Sequence, residues 1–180
     1  FDNIFVVDSM TAAIGSGILA EHALKLAEAG ISSAQIAEEL EEKKADVCLI
    51  ALLDTLEYLK KGGRISETTA FAGGILNIKP VLTVQNGEVV VIGKARGSKQ
   101  GNNLLVEKIH RSGGIDFSMP ILLGYSGLSD LVLKKYVEDS RVLWQDGTDA
   151  LDSTLLCGVI GTHTGPGVVA VAFFKKSSAR

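Results

Sequence analysis

The sequence predicts an α/β protein that contains part of an N-terminal parallel-sheet domain, residues 1–53, followed by a complete C-terminal α/β domain, residues 54–180. Apolar runs of strand length alternate along the chain with segments of helical periodicity, which is the pattern of an α/β fold. Residues 47–53 form a continuous apolar run, which is typical of a parallel strand covered on both faces. The pattern changes after Leu53, and this change sets the predicted domain boundary.

The first domain is predicted to run strand, helix, helix, strand. Residues 4–7 form the first strand, and a helix opens at Gly15 or Ser16 and closes at Gly30. Ser32 begins a second helix, because Gln35 follows three residues later and completes a capping box. A right-handed crossover then places the strand at 47–53 parallel to the first.

The chain opens on Phe1 and enters its first predicted strand almost at once. Two parallel strands and two helices bury too little apolar surface to fold alone. We therefore expect that further strands and helices of this domain precede the chain. Without them, residues 1–53 would leave an apolar edge and face exposed.

The second domain is predicted to mix strands and helices. Strands are expected at residues 81–84, 89–92, 121–124, 141–144 and 168–174, and helices at residues 56–61, 69–76, 100–111, 128–137 and 154–160. Asn86 and Gly87 separate the first two of these strands. This pair favours the positive φ angles of a two-residue hairpin turn, so the two strands should pair directly.

Composition restricts the class of partner. The 180 residues are 46 % hydrophobic and carry a net charge of −3, which argues against nucleic acid as a general partner. No run reaches the roughly 18 apolar residues that a membrane span needs, although a transient contact with a membrane surface stays open. Cys48 and Cys157 lie in apolar runs without metal-ligand spacing. They indicate buried thiols in a reducing, cytoplasmic location and no bound metal.

The stretch GTHTGPG, residues 161–167, is the first candidate site. Its glycines and proline predict a bend between two apolar elements, and such braced loops commonly carry binding groups. The bend contains Thr162, His163 and Thr164. The alternative is a tight helix-to-strand turn in which His163 hydrogen-bonds locally.

Two basic stretches are candidate anion or partner sites. Arg64 follows two glycines just before a predicted helix start, where its guanidinium and backbone N–H groups could hold a carboxylate or phosphate. Arg96 lies between Lys94 and Gly97 at the predicted end of the hairpin. The alternatives are a solvated arginine at a helix end and a solvated hairpin end.

An enzymatic function is the alternative to binding. A small-molecule hydrolase or phosphotransferase could use His163, with Asp152 and Ser153 as partners. However, no G-x-S-x-G elbow is present, and Asp152-Ser153 is also typical of a helix N-cap. The sequence has no P-loop and no G-x-G-x-x-G in a βα context, so no nucleotide site is predicted.

Several stretches, in this order, resemble the DegV family, the bacterial fatty-acid-binding proteins that serve fatty acid kinase. They are VDS at 7–9 with GSG at 15–17, LDTLEYLKKGGRIS at 53–66, LNIKPVL at 76–82, KARG at 94–97 and GTHTGPG at 161–167. Together they extend over the whole chain. The long run at 53–66 and the loop at 161–167 make the resemblance specific.

The resemblance implies a two-domain α/β fold that holds one long-chain fatty acid in a tunnel between its domains. Among the polar groups at the head group, Arg64 and His163 match the family, with Thr162, Thr164 and Gly165 in the same loop. The family's other carboxylate-binding hydroxyls lie on an early Thr-Ser motif and on an S-S-x-L-S-x-T loop. Neither motif occurs here, so the chain resembles the C-terminal two-thirds of a member.

The resemblance also implies a division of labour between two proteins. The family member binds and presents the fatty acid, and a separate kinase subunit brings ATP and forms the acyl phosphate. Arg96 matches a basic position on the face that meets the kinase. The chain is thus expected to be a lipid-binding subunit rather than an enzyme, with a fatty acid as its ligand and no cofactor.

Overall fold

The computed structural model describes residues 3–65, 77–144, 147 and 151–176 of the chain. The helices in these residues are α1 (Ile14–Glu28), α2 (Ser33–Lys43), α3 (Glu57–Lys61), α4 (Gly97–Arg111), α5 (Leu131–Asp139) and α6 (Gly158–Thr164). The strands are β1 (Val47–Leu52), β2 (Ile78–Gln85), β3 (Glu88–Arg96), β4 (Leu122–Tyr125), β5 (Ser153–Leu155) and β6 (Val169–Phe174).

The described strands form one sheet in the order β3-β2-β1-β6-β4-β5. The predicted α/β fold is confirmed, but the parallel pairing of residues 47–53 is wrong. β1 runs antiparallel to both of its neighbours, β2 and β6, and β4 with β5 is the parallel pair among the described strands. A continuous apolar run indicates that a strand is buried on both faces. A central antiparallel strand between two helical layers is buried in the same way, so the run does not distinguish the two pairings.

The sheet also crosses the predicted domain boundary. β1 lies before residue 53, whereas its partner strands β2 and β6 lie after it. The parallel sheet expected for residues 1–53 is therefore not found among the described strands. The division into residues 1–53 and 54–180 stays a prediction.

Two helical layers cover the two faces of the sheet. On one face, α4 and α5 bury Leu105, Ile109 and Tyr136 against Val171 and Phe173 of β6. On the other face, α1 contacts β1, β4 and β6. On the same face of the sheet, the side chains of β2 and β3 border a cavity.

Several local predictions are confirmed. The Ser32 side chain accepts a hydrogen bond from the Gln35 N–H, and the Gln35 side chain accepts one from the Ser32 N–H, so α2 begins with the expected capping box. Asn86 and Gly87 have φ angles of 51° and 79° in the turn between β2 and β3. These positive values suit the predicted hairpin, which is formed.

Three short segments were predicted wrongly. Residues 4–7 form no strand, and Ile4, Phe5 and Val6 are exposed. Residues 141–144 form a short 3-10 turn, Arg141–Leu143, instead of a strand. The helix predicted at 154–160 is preceded by β5 and begins only at Gly158. The segments at 4–7 and 141–144 have only four residues each, which is too short for periodicity to specify a strand. The segment at 154–160 contains Gly158, where the helix begins after the strand has ended.

Two further predictions concern single features. Both cysteines are free, and Cys157 is exposed rather than buried, because it lies at the junction between β5 and α6 and not inside a helix. The helix predicted at residues 69–76 lies outside the residues that the structure describes.

A candidate ligand cavity between the sheet and α6

A cavity of about 710 Å³ lies on the face of the sheet that carries α1. Its floor consists of Leu49 and Ala51 from β1, Leu82 and Val84 from β2, and Val89 from β3. Alternate residues of a strand point to the same face, so each strand contributes apolar side chains to the floor. The cavity therefore offers a broad apolar surface to a ligand.

Two short helices and one loop form the walls. The lining residues are Val159, Ile160, His163 and Thr164 from α6, Leu59 from α3, Gly63, Arg64 and Ile65 from the turn after it, and Thr11, Ala12 and Ala13 before α1. Most of the polar side chains lie on the α3–α6 side, which carries His163, Arg64 and Thr164, while Thr11 and the acidic Glu88 border the cavity elsewhere. The cavity is thus apolar at its floor and polar along one wall.

His163 lies in the last turn of α6 and packs on Gly62, which ends α3. A Cβ atom at Gly62 would lie 2.2 Å from Nδ1 of His163, so the ring rests directly on the backbone of Gly62. Nδ1 is buried and has no hydrogen-bond partner among the described residues. Nε2 is therefore the ring nitrogen that can serve a ligand in the cavity.

In a second contact between the same helices, α3 supplies the side chain and α6 the glycine. α6 ends at Gly165, which has φ 76° and ψ −178°, a backbone conformation that is almost confined to glycine. A Cβ atom at Gly165 would lie 2.4 Å from Cδ2 of Tyr58 in α3. Each helix thus places an aromatic side chain on a glycine of the other, and the two contacts fix the wall that carries His163.

Ser126, which follows β4, holds the bend after α6. Its hydroxyl donates to the Gly165 carbonyl at 2.6 Å and accepts from the Val168 N–H at 3.1 Å. The Ser126 side chain is buried, and backbone hydrogen bonds join the same residue to Gly167 and Val168. Sequence reasoning did not predict this role of Ser126, because a lone serine after an apolar strand carries no signal of the distant bend that it serves.

The structure brings some of the predicted site residues together and separates others. Arg64, His163 and Thr164 line the cavity. Arg64 is exposed, and its Nη1 donates to the Gly62 carbonyl at 2.9 Å, which holds the guanidinium beside the glycine under His163. Thr162 is exposed and donates to the Gly158 carbonyl at 2.8 Å, within its own helix. Gly165 is buried behind the wall and does not border the cavity.

The bend predicted over residues 161–167 is therefore correct only in its second half. Residues 161–164 belong to α6, so His163 is presented by a helix rather than by a loop. Glycine is a weak helix former, which is why the sequence favoured a loop. In the structure, Gly161 leaves open space beside α6, and no described atom would meet a Cβ atom there.

Arg96 and the residues of the alternative enzyme lie elsewhere. Arg96 is exposed at the end of β3, where its N–H donates to Oε1 of Gln100 at 3.3 Å. Ser153 begins β5, and neither it nor Asp152 lines the cavity with His163. The described chain therefore does not assemble a Ser-His-Asp set in this cavity.

The described residues offer neither a metal-binding cluster nor a membrane-spanning helix. In residues 3–65, 77–144, 147 and 151–176, no cluster of three His, Cys, Asp or Glu side chains is arranged to hold a metal ion. None of the described helices combines the length and the apolar character that crossing a membrane requires.

Comparison of the sequence with known proteins identifies relatives along nearly the whole chain. The family model described as an uncharacterised protein of the DegV family matches residues 1–176. A DegV domain-containing protein of Caldanaerobacter subterraneus subsp. tengcongensis is 33 % identical over 178 residues. The match covers 97 % of this chain and 61 % of the relative, so the chain spans about three fifths of that protein's length.

Solved structures give the same result. A DegV family protein from Thermus thermophilus, described as fatty acid binding, is 31 % identical and superposes with a TM-score of 0.77 over 94 % of this chain and 60 % of that one. The Streptococcus pneumoniae fatty acid kinase B3 protein, loaded with linoleic acid, superposes with a TM-score of 0.82 over 96 % of this chain and 60 % of that one. Its sequence identity is 21 %, so this likeness concerns the fold alone. The chain belongs to the DegV family.

Proposed function

We propose that the chain supplies the acyl-chain pocket and part of the head-group site of a protein that binds a long-chain fatty acid. The cavity with its apolar floor and its one polar wall carries this proposal. A fatty acid requires an apolar enclosure with polar groups at one end, and ligand pockets commonly measure roughly 300–1,000 Å³. The description of the Thermus thermophilus relative as fatty acid binding supports the same ligand class.

The polar wall suits a carboxylate. His163 offers Nε2 from α6, and Arg64 offers its remaining guanidinium N–H groups from the turn after α3. Hydrogen bonds from a cation to a carboxylate are shorter and stronger than neutral ones. Binding of this kind requires no general base and no nucleophile, so the proposed role of this chain is that of a ligand-binding subunit.

We also propose that the longer protein presents the carboxylate to a separate fatty acid kinase, which forms the acyl phosphate. The name of the pneumococcal neighbour, a fatty acid kinase B3 protein, motivates this step. Arg96 is our candidate for the kinase contact, since it is exposed at the end of edge strand β3. In a reconstituted kinase assay, Arg96→Glu should slow acyl-phosphate formation, whereas Arg141→Glu in the 3-10 turn after α5 should not.

Native mass spectrometry tests the binding proposal directly. The chain is mixed with palmitate, or with hexadecane-1,2-diol as a carboxylate-free lipid, and the mass of the complex is measured. A one-to-one complex with palmitate is expected. A protein that retains no palmitate under conditions where it remains folded would overturn the proposal.

Replacement of Arg64 by alanine should weaken palmitate binding about tenfold, which corresponds to roughly 1.5 kcal/mol. The arginine is exposed, so the effect should lie at the low end of the range for charge-assisted hydrogen bonds. Isothermal titration calorimetry measures the affinity. Arg111→Ala, on the exposed end of α4, is the control and should leave it unchanged. If the Arg64 variant and the unmodified chain bind palmitate with equal affinity, Arg64 does not contribute to the head-group site.

Enlarging a residue of the cavity floor should exclude the acyl chain. Val89→Trp places a large ring in the cavity and should lower palmitate affinity tenfold or more, because fitting the ring and the acyl chain into the same space costs about 1–3 kcal/mol. Val90→Trp is the matched control, since the next residue of the same strand points to the opposite face. If both variants bind palmitate equally well, the acyl chain does not occupy this cavity.

A further inference from the structure

We infer that Ser126 is a positioning residue for carboxylate recognition, an inference that rests on the proposed function. Ser126 does not line the cavity, so it touches no ligand there. Its side chain instead determines how the chain leaves α6, two residues after His163. Its hydroxyl is connected to the imidazole through the end of α6.

The Ser126 hydroxyl is used in both of its hydrogen-bonding capacities. It donates to the carbonyl of Gly165 at 2.6 Å and accepts from the N–H of Val168 at 3.1 Å. Gly165 and Val168 lie three residues apart, one on each side of the bend, so a single hydroxyl links the two ends of the bend. With only 5 % of the residue exposed, water cannot replace either bond when the hydroxyl is removed.

The bend in turn sets the last turn of α6. The Gly165 N–H donates to the Gly161 carbonyl at 2.8 Å, so Gly165 still belongs to the hydrogen-bonded end of the helix. Its Cα packs against the Tyr58 ring. The Gly165 carbonyl also accepts a longer contact of 3.5 Å from Oγ1 of Thr164, so Ser126 supplies the short hydrogen bond. When that bond is lost, the contact with Tyr58 loosens, and the His163 ring loses its fixed position on Gly62.

A general loss of stability is the competing explanation for any effect of Ser126, and the chain provides a matched control. Ser140 is also 5 % exposed. Its hydroxyl donates to the Tyr136 carbonyl at 2.6 Å and accepts from Nε1 of Trp144 at 3.1 Å. Ser140 lies in the core on the opposite face of the sheet, away from the cavity. Removing either hydroxyl should therefore destabilise the fold to a similar degree.

The experiment compares Ser126→Ala with Ser140→Ala in the 180-residue chain. Affinities are measured for palmitate and for hexadecanol, which has the same chain length but no carboxylate. Ser126→Ala should lower palmitate affinity about tenfold and leave hexadecanol affinity within about twofold. Ser140→Ala should change neither the affinity for palmitate nor the affinity for hexadecanol. Ser126→Thr, which keeps the hydroxyl, should restore the preference for palmitate.

A second readout requires no ligand. The imidazole Cε1–H signal of His163, assigned by its loss in His163→Ala, should shift or broaden in Ser126→Ala and stay in place in Ser140→Ala. The His22 and His110 signals serve as internal references. If the unmodified chain binds neither lipid, the proposed function fails, while the His163 signal still tests the positioning role.

Two results would overturn the inference. One is an equal loss of palmitate and hexadecanol affinity in Ser126→Ala, which is the signature of a structural residue. The other is an unchanged His163 signal in a folded Ser126→Ala protein. If Ser126→Ala does not fold, Ser126→Cys keeps the size of the side chain with weaker hydrogen bonds, and the same two comparisons apply to it.

Discussion

Replacing Gly165 by alanine is expected to lower the free energy of unfolding by about 3–4 kcal/mol. The φ of 76° and ψ of −178° at this residue are almost confined to glycine, and imposing them on alanine costs roughly 1–3 kcal/mol. The added Cβ would also lie 2.4 Å from Cδ2 of Tyr58. Displacing a packed ring adds a cost of about 1–3 kcal/mol. Urea denaturation of the variant and the unmodified chain gives the difference.

The same helix supplies the control. Gly161 lies inside α6, and a Cβ there would meet no described atom within 4 Å. Gly161→Ala should leave stability unchanged or raise it by about 0.5–1 kcal/mol, since alanine is the better helix former. If both glycine variants lose the same stability, the contact between Gly165 and Tyr58 does not hold α6 in place.

Replacing Gly62 by alanine should cost about 2 kcal/mol of stability and also weaken palmitate binding. The backbone of Gly62, with φ −80° and ψ −1°, suits alanine, so backbone strain contributes nothing. Most of the cost arises from the His163 ring, because the new Cβ would lie 2.2 Å from Nδ1, and the Tyr58 carbonyl oxygen at 3.1 Å adds a smaller part. The ring must leave its position, and the ligand then loses the Nε2 contact that we propose.

A double-mutant cycle separates this contact from other effects of the substitution. In a His163→Ala background, the obstructing ring is gone and only the Tyr58 carbonyl contact remains, so Gly62→Ala should then cost about 1 kcal/mol less than in the unmodified chain. Thermal and urea unfolding of the four proteins supply the cycle. Additive effects of the two substitutions would contradict the packing of His163 on Gly62.

Features with a local cause were predictable from sequence. The capping box at Ser32 and Gln35 and the hairpin at Asn86 and Gly87 each depend on residues at most three positions apart, and both are formed. Residues 47–53 were assigned correctly as a strand but to the wrong pairing. Direction depends on which distant strands, β2 and β6, lie beside β1, and the apolar run itself does not encode their orientation.

The candidate site was predictable in part for the same reason. The motifs identified Arg64 and His163, which both line the cavity. They did not reveal that His163 lies on a helix or that Gly62 and Gly165 form its support, because those contacts join segments about 100 residues apart in the sequence. Ser126 carries no motif at all. Its role arises only from the position of β4 beside β6, which brings the serine to the bend after α6.

The central claim is that an acyl chain lies on the apolar floor formed by β1, β2 and β3. The most direct test measures nuclear Overhauser effects between isotope-labelled palmitate and the methyl groups of the protein. We predict cross-peaks from the acyl chain to Leu82, Val84 and Val89, with the carboxyl end nearest His163. Cross-peaks to Val81 and Leu105, in the core on the opposite face, without any to the cavity floor would contradict the claim.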